Sequence, residues 1–197
     1  MPPVRKTVKV ITSFDGAEQI DLRPMGVNLI YIPNFINHEN ASTIFHELMD
    51  PKCKAFAQHK YINRFKKQIT PHRLTHAHVP SDRRYRFLGN DLNRSVNDIF
   101  VKHFDELVDI LPYTRVRPDS SVSNAYRYNN NDYIAPHTDD EKFLQSENSE
   151  LWTDSTVYTF TLLRDNDKPM SYHFANPNQE GSKIEGFELN ARHGSLI

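Results

Sequence analysis

In the stretch IAPHTDDEKF, residues 134 to 143, a histidine and an aspartate stand two apart and an Asp-Glu step follows at once. In an extended segment, residues two apart project from the same face, roughly 6.6 Å apart along the strand. His137 and Asp139 then point together, while Thr138 and Asp140 face the other way. An imidazole and a carboxylate side by side can each give one bond to a single metal ion between them. A third ligand must come from elsewhere. This is the beginning of the two-histidine, one-carboxylate set that holds non-haem Fe(II) and leaves positions open for a co-substrate and O2. A lone His-x-Asp step is equally what a surface histidine among acidic neighbours looks like, so its surroundings decide.

Just before it, SNAYRY alternates so that Asn124, Tyr126 and Tyr128 share one face, and the cluster NNND then turns the chain back toward His137. An amide and a phenol on the inward face of a strand beside a metal are suited to hold a small carboxylate ligand. Each also has an ordinary role open to it: Asn124 in satisfying backbone groups, Tyr126 in core packing.

Two kinds of periodicity must position these residues. In NHENASTIFHELMD the stripe Ile44, Phe45 and Leu48 has helical spacing, with Asn37 as the cap. In DLNRSVNDIFVKHFDELVDIL the positions Val96, Ile99, Phe100, His103, Phe104, Leu107 and Val108 recur at three and four, which predicts the clearest helix. GVNLIYIPNFI reads as a strand ended by Pro33, since proline cannot donate to a ladder. From Val122 onward the period changes to two: SVSNAYRY, DYIAPHTD, STVYTFTLL, MSYHF, IEGFEL and HGSLI are short strands separated by turn clusters. Helices first and strands afterwards predict an α+β fold with a sandwich or barrel core. The opening, to about Arg23, reads as an arm or an added edge strand.

The 197 residues suit one domain, with 38% hydrophobic and 25% charged residues and a mean hydropathy of −0.67. Aromatics at 11% exclude a disordered chain. No apolar run approaches membrane-spanning length and MPPVRKTVKV lacks the apolar stretch of a secretory signal. With Cys53 the only cysteine, no internal disulfide can form. An intracellular protein with no membrane partner, acting as a monomer, is expected. The net charge of −1 conceals a basic segment: ten Lys and Arg from Lys52 to Arg86 stand against the single Asp82. Such a run is either a solvated face or a surface for an anionic partner such as a phosphate backbone.

NAYRYNNNDYIAPHTDDE resembles the Asn-x-Tyr … His-x-Asp-Asp-Glu core of the AlkB-like dioxygenases, which depend on 2-oxoglutarate and Fe(II). LIYIPNFINHENASTIFHELMD, TPHRLTHAHVPSDRRYRFLGN, STVYTFTLLRD and LNARHGSLI resemble further segments of that family in the same order, so the likeness runs from about Gly26 to Ile197. It implies a double-stranded β-helix (jelly-roll) core supported by N-terminal helices, in a domain over 26–197 after an arm over 1–25, with 52–90 as the nucleotide-recognition lid. His137 and Asp139 match iron ligands, and Asn124 and Tyr126 match positions that bind 2-oxoglutarate. Asp140 and Glu141 match an acidic pair facing the substrate base. Arg73 falls in the lid and Arg164 matches an arginine beside the active site, both on the substrate side. Tyr61, Phe65, Tyr85 and Phe87 could stack a base or pack in a core. The implied partners are O2 and nucleic acid carrying alkylated bases, single-stranded or with the base flipped out. The implied reaction is oxidative removal of an N-methyl group as formaldehyde.

The third iron ligand is not found. After the motif stand only His173 and His193, and the resemblance gives neither a ligand role. The family places its distal histidine and its 2-oxoglutarate-binding arginines one hairpin further on. A chain lacking that hairpin, and poorly active as it stands, is therefore expected; the alternative is a naturally short, inactive homologue, or one that recruits His193 instead. Two further readings stay open: a 2-oxoglutarate oxygenase acting on a protein or small molecule, and an inactive nucleic-acid-binding homologue.

Overall fold

The computed structural model describes residues 9–11, 19–21, 29–62, 65–80, 86–87, 90–91, 97–112, 117–134, 157–165, 167–175 and 186–197. In chain order its elements are β1 (Lys9–Ile11), β2 (Ile20–Asp21), β3 (Ile30–Tyr31), α1 (His38–Met49), β4 (Tyr61–Ile62), β5 (Gln68–Ile69), β6 (Leu74–His78), β7 (Arg86–Phe87), β8 (Asn90–Asp91), α2 (Asp98–Asp109), β9 (Ser121–Ala125), β10 (Phe160–Thr161), β11 (Met170–Ala175), β12 (Gly186–Ala191) and β13 (Ser195–Leu196). The architecture is α+β, with short, mainly antiparallel sheets; among the described residues they do not close into a barrel. No described helix is long and apolar enough to cross a membrane. The chain forms two compact units, Met1–His46 with Thr156–Ile197, and Glu47–Ser155.

In the first unit β11 and β12 form a hairpin of six residue pairs, and β1 joins β12 in parallel as the edge strand of a three-stranded sheet. Tyr31, Leu189 and Ala191 are fully buried at its centre, with Leu29, Tyr172, Phe174 and Ile197 packed around them. The buried Tyr31 hydroxyl is not wasted: it accepts the Arg192 N–H at 2.9 Å. β13 pairs with β10, and Leu196 also bridges to Ile32, so the expected strand through Ile32 ends at the buried Pro33 as the proline dictates. Between β12 and β13 the turn passes through Gly194 at φ +74, where a Cβ would overlap the Ile36 carbonyl. Only glycine accepts both the left-handed backbone and that approach. The gain is two bonds: Gly194 N–H donates to Thr161 O, and Gly194 O accepts from Ile36 N–H, both at 2.9 Å.

α1 begins where its cap is expected. The Asn37 side chain accepts the Asn40 N–H at 2.8 Å, and Ala41 and Ile44 face inward. α2 begins later than the apolar pattern suggests. Asn90–Asp91 pair with Arg86–Phe87 as β8 and β7, and Asn97 caps the helix by accepting the Phe100 N–H at 2.9 Å. The same Asn97 amide also donates to Cys53 O, so one side chain both starts α2 and ties it to the segment before β4. Val96, expected in the helical stripe, lies outside the described residues.

The second unit is built on β6. Its five residues pair with β9, and Thr75 bridges on the other edge to Ala57, with bonds of 2.8 and 3.2 Å. Strand alternation then separates its side chains. Leu74, His76 and His78 share one face, and there His76 meets Phe100 of α2 with ring centroids 3.9 Å apart. Phe100 belongs to a core with Cys53, Ala55, Leu48, Phe56 and Phe104. His76, within the basic segment, is core: it is 2% exposed, and its Nδ1 donates to Ala55 O at 2.9 Å. Its Nε2 has no partner among the described residues. The ring packs on Phe100 with Nε2 unbonded, which a neutral imidazole tolerates and an imidazolium does not.

Burial therefore holds His76 below the usual histidine value, and the Ala55 bond only partly opposes it. An unfolded chain takes up a proton at this residue below about pH 6.5 while the folded one does not. Its contribution to stability is complete above that pH and is lost as the pH falls. In urea titrations between pH 6.5 and 5, His76→Phe should flatten the acid-side slope by up to about 1.4 kcal/mol per pH unit. An unchanged slope would mean that the ring is not held neutral.

Candidate functional site

His137, Asp139, Asp140 and Glu141 lie outside the described residues. The elements that lead to them are described, and they bring several of the other expected residues together. In the β6–β9 ladder Thr75 stands opposite Asn124 and Leu74 opposite Ala125. Alternation puts Thr75 and Asn124 on one face, opposite to that of His76, and Arg73 and Tyr126 stand one step beyond the end of the ladder. Arg73 Nε donates to Asn124 Oδ1 at 2.7 Å, a diagonal bond across the ladder. Expected in a lid on the substrate side, Arg73 is 8% exposed and turned onto Asn124. A run of positive charge in a sequence does not tell which member is inside.

β9 ends at Ala125, and Tyr128 opens a 3-10 turn, Tyr128–Asn130, in place of the extended strand expected through it. The turn is stapled by Arg127, whose backbone N–H and Nε both reach Asp132 Oδ2, at 2.9 and 2.7 Å. Asn131 takes the left-handed φ of +50 that asparagine tolerates. The Asp132 carboxylate is 1% exposed and the bonds from Arg127 hold it below the usual carboxylate range. The chain then returns to β6: Tyr133 N–H donates to His72 O at 2.9 Å, and the Tyr133 ring stacks on His72 with centroids 5.2 Å apart. Ile134, three residues before His137, therefore leaves from beside the residue that precedes Arg73.

The basic segment divides by side chain. Lys52, Lys54, Lys60, Lys66 and Lys67 are exposed, unlike Arg73. Three of them belong to or flank the β4–β5 hairpin, on which Ile62 is 60% and Phe65 67% exposed. Arg83 and Arg84 lie outside the described residues, as does Tyr85.

A second group was not legible as a motif, because its members come from three segments. His38, Asp165 and His193 each offer one ligand-type atom within 4.8 Å of the others. They line a cavity of about 300 Å3 with Arg164, Asp167 and Arg192, which is where the expected substrate-side Arg164 stands, exposed. Ser42 Oγ sits among them, 3.2 Å from His193 Nε2 and 3.2 Å from Asp165 Oδ1. The protons decide what the group can do. Leu163 N–H donates to His193 Nδ1 at 2.8 Å, so that nitrogen carries the lone pair and the neutral ring carries its proton on Nε2. Nε2–H then donates to Ser42 Oγ, and the Ser42 hydroxyl donates to Asp165. A metal at Nε2 needs a lone pair there, and a proton on Nδ1 would face the Leu163 N–H. The same tautomer prevents His193 from taking the Ser42 proton, so these residues do not form a nucleophilic triad. They form a hydrogen-bond relay that braces the turn before Gly194. Burial, with His38 nearby, keeps His193 below the usual histidine value and so neutral. Nitrogen-15 spectra at pH 7 should show His193 as the Nε2–H tautomer, unchanged by a stoichiometric addition of Zn(II). Loss of the Nε2 proton on adding Zn(II) would restore the cluster as a metal site.

No family model and no curated protein matches the chain.

Proposed function

We propose that the protein is an Fe(II)- and 2-oxoglutarate-dependent dioxygenase that demethylates N-alkylated bases in nucleic acid, with a jelly-roll core of which the short sheets are parts. The observation that carries this reading is the Arg73–Asn124 bond across the β6–β9 ladder, with Tyr126 one step beyond the ladder's end. The bond turns the amide oxygen of Asn124 toward Arg73 and leaves its NH2 to donate. A donor amide and a phenol two residues on fit the carboxylate end of a 2-oxo acid. The stapled turn after Tyr126 gives further support, since it starts the His-x-Asp segment from beside that ladder.

In this reading His137 and Asp139 hold the iron, and Asn124 and Tyr126 orient the co-substrate. When bound, iron and 2-oxoglutarate together supply the oxidation: O2 is consumed, 2-oxoglutarate leaves as succinate and CO2, and the N-methyl group leaves as formaldehyde. The chain's own work is to bind, orient and exclude water. Asp140 and Glu141 accept from the base, while the exposed lysines hold phosphates. Phe65, on a hairpin with Lys66 and Lys67, presents an aromatic surface beside positive charge, the combination on which single-stranded bases stack.

The protein should release formaldehyde from methylated single strands only when Fe(II) and 2-oxoglutarate are both supplied. His137→Ala and Asp139→Ala should each reduce release to background without lowering the melting temperature. Binding to the strands without any formaldehyde would favour a non-catalytic module instead.

Lys66→Gln with Lys67→Gln should weaken strand binding and flatten its salt dependence. On single strands each phosphate that is no longer neutralised lowers the steepness of log K against log salt by about 0.7. A slope equal to that of the wild type would return this hairpin to a merely solvated surface.

A further inference from the structure

We infer that Arg73 is the positioning residue that fixes which way the Asn124 amide faces, and so makes Asn124 a donor to an anionic co-substrate; the inference rests on the 2-oxoglutarate reading above. An asparagine amide has almost the same shape either way round, with an acceptor oxygen on one side and two donor hydrogens on the other. Its surroundings must choose. Arg73 Nε carries a hydrogen and no lone pair, so at 2.7 Å it can face only the amide oxygen. The NH2 of Asn124 is thereby turned away from Arg73 and can donate elsewhere. A carboxylate offers acceptors only, and the reversed amide would meet it oxygen to oxygen.

The ladder keeps the pair in place. Thr75, opposite Asn124 and two residues from Arg73, is 8% exposed, and its N–H and C=O both bond to Ala57 on the edge of β6 away from β9. Arg73 is equally buried, so its planar guanidinium lies inside the fold next to the amide. A lysine could supply charge there but not a fixed planar N–H. The placement gives Arg73 a second effect, since its positive charge stands one side chain behind the atom that meets a dianion. Because the charge is shielded from bulk water, its field at the amide is screened less than that of the exposed lysines.

Direct binding separates this role from a merely structural one. Titration of 2-oxoglutarate into the protein loaded with Mn(II), which holds the co-substrate without turnover, should give about tenfold weaker binding for Arg73→Met, the loss expected for one charge-assisted hydrogen bond. Affinity for a methylated oligonucleotide should stay within about twofold, because a buried side chain does not reach a phosphate. Arg73→Lys should recover part of the loss. Asn124→Asp keeps the acceptor for Arg73 but removes the donor, so it should melt near the wild type and still lose 2-oxoglutarate binding. The double variant Arg73→Met with Asn124→Ala should bind no more weakly than Asn124→Ala alone, since Arg73 acts through that amide. Wild-type binding in Arg73→Met, or additive losses in the double variant, would overturn the inference and leave the function standing. If Arg73→Met does not fold, Arg73→Lys and Asn124→Asp carry the same decision. Absence of 2-oxoglutarate binding in the wild type would overturn the function and this inference with it.

Discussion

β6 is paired along both edges, to Ala57 on one and to β9 on the other, and a strand held in that way cannot exchange its faces. One face delivers His76 onto Phe100 and the other sets Thr75 between Arg73 and the row of Asn124. Slipping the register by one residue would turn a hydroxyl onto the aromatic core and an imidazole toward Asn124. The aromatic packing of His76 and the orientation of Asn124 are therefore two results of one pairing. The exposed lysines of the hairpin that precedes β6 do not depend on it, because nothing in their role requires a fixed face.

A comparable constraint acts in the first unit at the H-G-S step. Gly194 lets the backbone run against Ile36, and this lets Ser195 and Leu196 pair with Thr161 and Phe160 while Leu196 also bridges Ile32. The buried polar groups around it are mostly matched: Tyr31 takes the Arg192 N–H, and His193 takes the Leu163 N–H. Each bond also fixes a proton. In His193 that proton decides against both metal binding and base catalysis, although the residue types alone suggest either. Chemistry at such clusters depends on the donors as much as on the distances.

Period and capping make much of the fold legible along the chain. Asn37 with Ile44 predicts α1, the stripe around Phe100 predicts α2, and MSYHF predicts β11, because each rests on interactions between near neighbours in sequence. Asn97 shows where such reading stops. Val96 completes an apolar stripe in the sequence, yet the helix is capped at Asn97, whose amide also reaches Cys53 across forty-four positions. The Ser42 relay is hidden for the same reason: residues 38, 42, 165 and 193 meet only after folding. The candidate site is legible in part. Asn124 and Tyr126 are marked by alternation, but Arg73 reads as a surface cation because a charge run carries no record of burial.

That last difference has a physical basis. Lysine is a strongly hydrated point charge on a flexible stem, and burying it costs more than burying the delocalised guanidinium, which can keep several bonds inside a fold. In the segment from 52 to 80, the described lysines accordingly stay in water, and the one described arginine goes in. The two then act over different ranges. Exposed lysines attract a polyanion through solvent, weakly at each phosphate and less as salt rises. Arg73 acts over a single bond length and fixes one amide, where salt has little access. A segment that looks uniform as a string of charge is thus divided by burial into an outer part suited to hold a strand and an inner part suited to orient a small acid.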